Sequence, residues 1–147
     1  MPASRLTDLS RLAIHTVTHK PWSLAECIDH FTAAGVPGIT VWRNKIEDVG
    51  LEEAARMLAA SGLEVVAHVR GGFFPAFAEA DRQKAIDDNR RCLDEAAAIG
   101  APMVVLVCGA VPGMPLPDAR KQIADGIAAC TEHAEGCGVR LAIEPLH

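Results

Sequence analysis

The sequence has no apolar run long enough to cross a bilayer. The apolar stretch Pro102–Val107 falls well short of the ~20 residues a spanning helix needs. The first residues, Met1 to Arg11, are polar and lack the apolar centre of a signal peptide, so nothing there marks the chain for export. Extended Lys/Arg clusters are missing as well. The densest basic spots, Arg90–Arg91 and Arg120–Lys121, are flanked by acids, and the net charge is -5. A nucleic-acid surface, which needs a basic face to displace phosphate counterions, is not expected. The five cysteines, Cys27, Cys92, Cys108, Cys130 and Cys137, form no CxxC pair. An odd number without an export signal reads as free thiols in a reducing cytoplasm. Cys130, His133 and Cys137 sit in or near the end of an expected helix with no fourth partner nearby, so no zinc cluster is read there.

With half of its 147 residues hydrophobic and 22% charged, the chain has the composition of a globular domain with a substantial core. Its pattern is a repeated unit, a short apolar run followed by a longer amphipathic segment. The runs are Leu12–His19, Gly38–Arg43, Glu64–Arg70, Met103–Cys108 and Val139–His147. Between them lie expected helices from Ser23 to about Ala34, Leu51 to Ser61, about Asp81 to Ile99, and Asp118 to about Glu135. Ser23 and Glu26 form a capping-box pattern at the first helix start. Gly71–Pro75 and the Gly/Pro-rich stretch 109–117 read as loops. Strands apolar on both faces and joined by helices form a parallel sheet. The chain is expected to be one α/β domain over residues 1–147.

Two folds fit that order. A five-stranded, doubly wound, flavodoxin-like sheet would use the whole chain. A (β/α)8 TIM barrel needs ~250 residues, so the chain would be its N-terminal half, β1 to β5. After the first run the sequence reads His19-Lys20-Pro21-Trp22, without a phosphate loop, and neither GxGxxG nor GxxxxGK[ST] occurs anywhere. Polar residues gather instead where runs end: Thr18 and His19, Trp42 and Arg43, His68 and Arg70, Glu144 and His147. Barrel active sites are built at that end. The barrel is the better expectation.

Four stretches carry a family resemblance: Ala34-Gly35-Val36-Pro37-Gly38-Ile39, Val41-Trp42-Arg43, Arg70-Gly71-Gly72-Phe73-Phe74-Pro75 and Ile143-Glu144-Pro145-Leu146-His147. With them the chain resembles the sugar phosphate isomerase/epimerase group of xylose-isomerase-like TIM barrels, over the N-terminal half of that barrel. The resemblance implies a divalent-metal-dependent enzyme (Mn2+, Mg2+, Co2+ or Zn2+) that isomerises or epimerises a sugar or keto-polyol through an enediolate. It also implies that Glu144 is a metal ligand and proton-transfer group, with further ligands from later strands.

The residues themselves add to this. A carboxylate at Glu144, inside an apolar run, is costly to bury unless paired or metal-bound. Arg70 offers a permanently charged fork to a substrate oxyanion, carboxylate or phosphate, and period-two alternation puts it on the face of His68. His68 reads more readily as a core histidine than as a substrate contact. Trp42 and Phe73-Phe74 could wall a sugar pocket, and His147 could bind a substrate oxygen or support the metal shell. Cys108 reads as a buried small hydrophobe. Two other functions remain open: a catalytically silent half-barrel that forms a homodimer, and an endonuclease-type relative, which the acidic charge disfavours.

Overall fold

The structure, a computed structural model, describes residues 8–109 and 111–144. Five parallel strands form one sheet in the order β1-β2-β3-β4-β5. They are β1 (Ala13–His15), β2 (Gly38–Trp42), β3 (Glu64–Gly72), β4 (Met103–Val107) and β5 (Arg140–Glu144). Every strand lies beside its sequence neighbour. A doubly wound sheet reverses its strand order at a switch point, so the flavodoxin-like alternative is excluded and the half-barrel is what the chain forms.

The helices are α1 (Leu24–Ala33), α2 (Arg43–Glu47), α3 (Leu51–Ser61), α4 (Glu79–Ala98) and α5 (Leu116–Cys137). They pack on one side of the sheet over Ile39, Val41, Val104 and Leu106, each fully buried with Leu93, Ala96, Cys92 and Cys130 from the helices. The capping box at α1 forms as expected. Ser23 Oγ accepts from the Glu26 N–H, and Glu26 Oε2 accepts from the Ser23 N–H at 2.7 Å. Trp22, just before it, stacks between His19 and His30 with ring centroids 4.1 and 4.2 Å away.

The element ends differ from expectation in instructive ways. β1 stops at His15 and a 3-10 turn takes Thr16–His19. The Trp42 N–H, which a longer β1 would have bonded through a carbonyl, donates instead to Thr16 Oγ1 at 3.1 Å. β2 stops at Trp42 because Arg43 starts α2, whose five residues are too few to show a helical period. α5 starts at Leu116, ahead of its expected start, because Pro117 falls in the first turn, where a missing N–H costs nothing.

β3 runs through Gly71 and Gly72, which were expected in a loop. Its register against β4 slips between Val69 and Gly71, leaving Arg70 as one extra residue in the ladder. Both glycines are needed. A Cβ on Gly71 would press on Asn89, Leu106 and Val104; one on Gly72, at φ 101, would collide with the Val107 backbone. The expected fifth run extends to His147, but Pro145, Leu146 and His147 lie outside the described residues.

Candidate active site at the C-terminal end of the sheet

The bulge in β3 decides what faces the C-terminal end of the strands. His68 sits before it, fully buried, and its ring turns to the helix layer. Its Nδ1 meets the Val41 carbonyl oxygen at 3.2 Å and its Nε2 meets Glu95 Oε2, on α4, at 3.0 Å. Arg70, inside the bulge, is exposed. Its guanidinium carbon lies 5.5 Å from the Trp42 ring centroid and 4.9 Å from that of Phe73. The expected shared face of His68 and Arg70 is therefore corrected: one extra residue breaks the period of two and puts them on opposite sides.

Trp42, Arg70 and Phe73 come together at a cleft of about 590 Å³ that Arg43, Asn44 and Lys45 of α2 also line. Phe73 holds a left-handed backbone at φ 57, and its N–H donates to the Val107 carbonyl at 3.1 Å. That conformation is strained for a bulky residue, and here it presents the ring to Arg70. Trp42 is fixed at its other edge, where Nε1 donates to His15 Nδ1 at 3.2 Å. Lys45, almost fully buried, donates from Nζ to the carbonyls of Lys20 at 3.0 Å and Trp22 at 2.5 Å, pinning the segment after β1 against α2.

Behind the cleft lies a charged cluster. Arg43 donates through Nε and Nη2 to the two oxygens of Glu95, both at 2.8 Å, and through Nη1 to Asp88 Oδ2 at 2.8 Å. Burial on its own raises the Glu95 carboxyl. Hydrogen bonds from His68 and Arg43 more than offset this and hold it down at about 2. Arg43 moves upward because Glu95 and Asp88 favour its charged form. Burial pushes the Cys92 thiol beside them up to about 12, so it stays protonated. His68, Cys92 and Glu95 place donor atoms close enough to suggest a metal. The Arg43 fork, however, already covers both Glu95 oxygens. The cluster is a strut between α2, β3 and α4.

A second strut secures the bulge. The Asn89 side chain, on α4 and fully buried, accepts from the Gly72 N–H at 2.6 Å and donates to the Gly72 carbonyl at 2.8 Å. It thereby replaces the strand partner that β3 lacks on that side.

Glu144 is exposed at the end of β5, paired in register with Val107. It does not line the cleft around Trp42, Arg70 and Phe73, which lies two strands away. His147 lies outside the described residues. Cys108 is half-buried just past β4. Sequence reading missed Asn89, Lys45 and the Arg43–Glu95 fork. Arg43 carried a signal, as a charged residue at the end of an otherwise apolar run.

Solved structures with this architecture were found. One, a protein from Sinorhizobium meliloti 1021, is 44% identical over 95% of this chain with a TM-score of 0.89, and 52% of its own length is covered. The 3-keto-D-glucoside 4-epimerase YcjR from E. coli is 20% identical over 86% of the chain and 52% of its own, with a TM-score of 0.72. The IOLI protein, solved with a bound zinc atom, is 17% identical over 89% of the chain and 50% of its own, with a TM-score of 0.76. The chain thus spans about half the length of each of these proteins. No curated protein sequence matches it significantly. Among the described residues no helix is long and apolar enough to cross a membrane. Residues 28–147 match the family described as xylose isomerase-like TIM barrel, and the chain belongs to that family.

Proposed function

We propose that the chain supplies the N-terminal half of a catalytic barrel that isomerises or epimerises a small polyhydroxy-carbonyl substrate, a sugar or keto-polyol. The observation that carries this reading is the convergence of Trp42, Arg70 and Phe73 on one cleft at the C-terminal end of the sheet. The two rings offer flat apolar faces to sugar C–H groups. Arg70 is held between them and keeps N–H donors for a carboxylate, phosphate or carbonyl oxygen. The epimerase among the structural neighbours supports the substrate class.

The family implies a divalent cation, Mn2+, Mg2+, Co2+ or Zn2+, and a structural neighbour holds zinc. Glu144 fits one position in its shell, as an exposed carboxylate at the end of a barrel strand. Such an ion needs several donors in a fixed geometry, and one carboxylate does not hold it tightly. When bound, the ion would supply charge stabilisation next to a carbonyl. The same carboxylate suits removal and return of the proton on the carbon beside that carbonyl.

The test is NMR of ketoses incubated in deuterated water with Mn2+ and a complete barrel in which this chain supplies the N-terminal half. Deuterium at the carbon beside the carbonyl, lost in Glu144→Gln, is the expected result. Absence of exchange with every ketose tried, or undiminished exchange in Glu144→Gln, would overturn the reading.

A second reading rests on Ile143, 60% exposed on β5, which among the described residues has a strand neighbour on one side only. An open, apolar sheet edge favours self-association, and a homodimer of catalytically silent half-barrels would cover it. Light scattering after size exclusion distinguishes a dimer from a monomer.

A further inference from the structure

Away from the barrel mouth, α4 and α5 bring together three donors of different chemistry. His133 and Cys137 are four residues apart on α5, so they lie on one helix face. Asp94 of α4 stands opposite them. Its Oδ1 is 2.7 Å from His133 Nε2 and 3.6 Å from Cys137 Sγ. The three donor atoms all lie within 4.8 Å of one another.

Tetrahedral zinc, with bonds of about 2.0–2.1 Å to nitrogen or oxygen and about 2.3 Å to sulfur, separates N and O by about 3.3 Å and S and O by about 3.5 Å. The sulfur–oxygen pair already stands at that spacing. The nitrogen–oxygen pair needs to open by roughly half an ångström, and both are side chains at the solvent boundary with room to do so. The backbones behind them are held one turn earlier on each helix. Arg90 Nη2 donates to the Ala129 carbonyl at 3.1 Å, and Cys130 is fully buried between the helices. Arg90 and Ala129 each precede a donor residue by four positions, so the rows are in register.

We propose that Asp94, His133 and Cys137 form a binding site for a zinc-like divalent cation, with water in the fourth position. A thiolate with an imidazole and one carboxylate selects borderline-soft ions over Mg2+ and Ca2+, which require all-oxygen shells. Bound there, the ion clips α4 to α5 on the outer surface of the half-barrel. Nothing in this site depends on Glu144 or on the cleft.

Cobalt(II) is the probe, because a thiolate ligand gives it an intense charge-transfer absorption. The protein is expected to show that band and to gain thermal stability on adding Zn2+, since an ion that binds only the folded state stabilises it. Cys137→Ser should abolish the band. His133→Gln should weaken Co2+ binding by more than about tenfold, the smallest loss typical even of an outer-shell partner. Glu144→Gln should leave the thiolate band unchanged. Absence of the band, its survival in Cys137→Ser, or unweakened binding in His133→Gln would each overturn the site.

Discussion

Arg43 and Glu95, 52 residues apart in sequence, meet through two parallel N–H···O bonds of 2.8 Å each. The pair joins the start of α2, directly after β2, to the last turn of α4, and His68 adds a third bond to the same carboxylate. The Glu95 side chain is 22% exposed, so screening by water is limited.

Because its carboxyl is held at about 2 when folded, against 4.5 for the free group, Glu95 favours folding most when it is ionised. Its contribution is complete above pH ~5 and is lost as pH falls through the folded value. The size is on the order of 3 kcal/mol. Urea titrations across a pH series should show Glu95→Gln less stable near neutrality by about that amount. They should also show a flatter decline between pH ~5 and ~2. An unchanged acid limb would contradict the assignment.

Asn89 makes a different kind of bond, with backbone rather than charge. Asn89→Leu fills similar space and leaves the buried N–H and carbonyl of Gly72 without that partner. The expected loss is about 2–4 kcal/mol, set by desolvated groups rather than by lost packing. Asn89→Asp should be only partly tolerated, since a carboxylate accepts from the N–H but donates nothing to the carbonyl. Chemical denaturation measures both.

Gly126 gives a prediction with a sign opposite to helix propensity. It lies inside α5, where alanine ordinarily stabilises by ~1 kcal/mol. A Cβ there would enter the ring of Phe74, which is buried beneath it. Gly126→Ala should therefore destabilise the fold, by about 1–3 kcal/mol as in other overpacked cores. A rise in melting temperature would show that Phe74 moves aside freely.

Arg70→Met should barely change stability, because the guanidinium is exposed and its ring contacts are worth about 1 kcal/mol or less. It should alter the fluorescence of Trp42, whose face Arg70 covers. If the cleft takes an anionic sugar, binding should weaken sharply in the same variant. Fluorescence and calorimetry on one sample separate the two effects.

The alternation of strands and helices was legible because burial on one face of a helix and both faces of a strand leaves a periodic trace. Ser23 and Glu26 were legible because a capping box acts over three residues. The polar ends of the apolar runs distinguished the barrel from a doubly wound sheet, and the strand order bears that out. What escaped is non-local. Asn89, Glu95 and Asp94 sit on α4 among eight other charged residues, and nothing in the sequence separates a residue that crosses to a strand or to α5 from one that faces water. The partner of His133 and Cys137 escaped because Asp94 is brought up by helix packing, not by sequence spacing. The bulge at Arg70 escaped because a single added residue leaves the apolar pattern of β3 intact.

That added residue separates two demands usually made of one strand. The ladder partners on either side, Val69 with Val105 and Gly71 with Leu106, hold β3 in place whatever stands between them. Position 70 can therefore change its charge or reach without disturbing the packing of the core. Mutation or laboratory selection can vary the side chain at position 70, and with it the chemistry of the proposed cleft, and leave foldability to Gly71, Gly72 and Asn89.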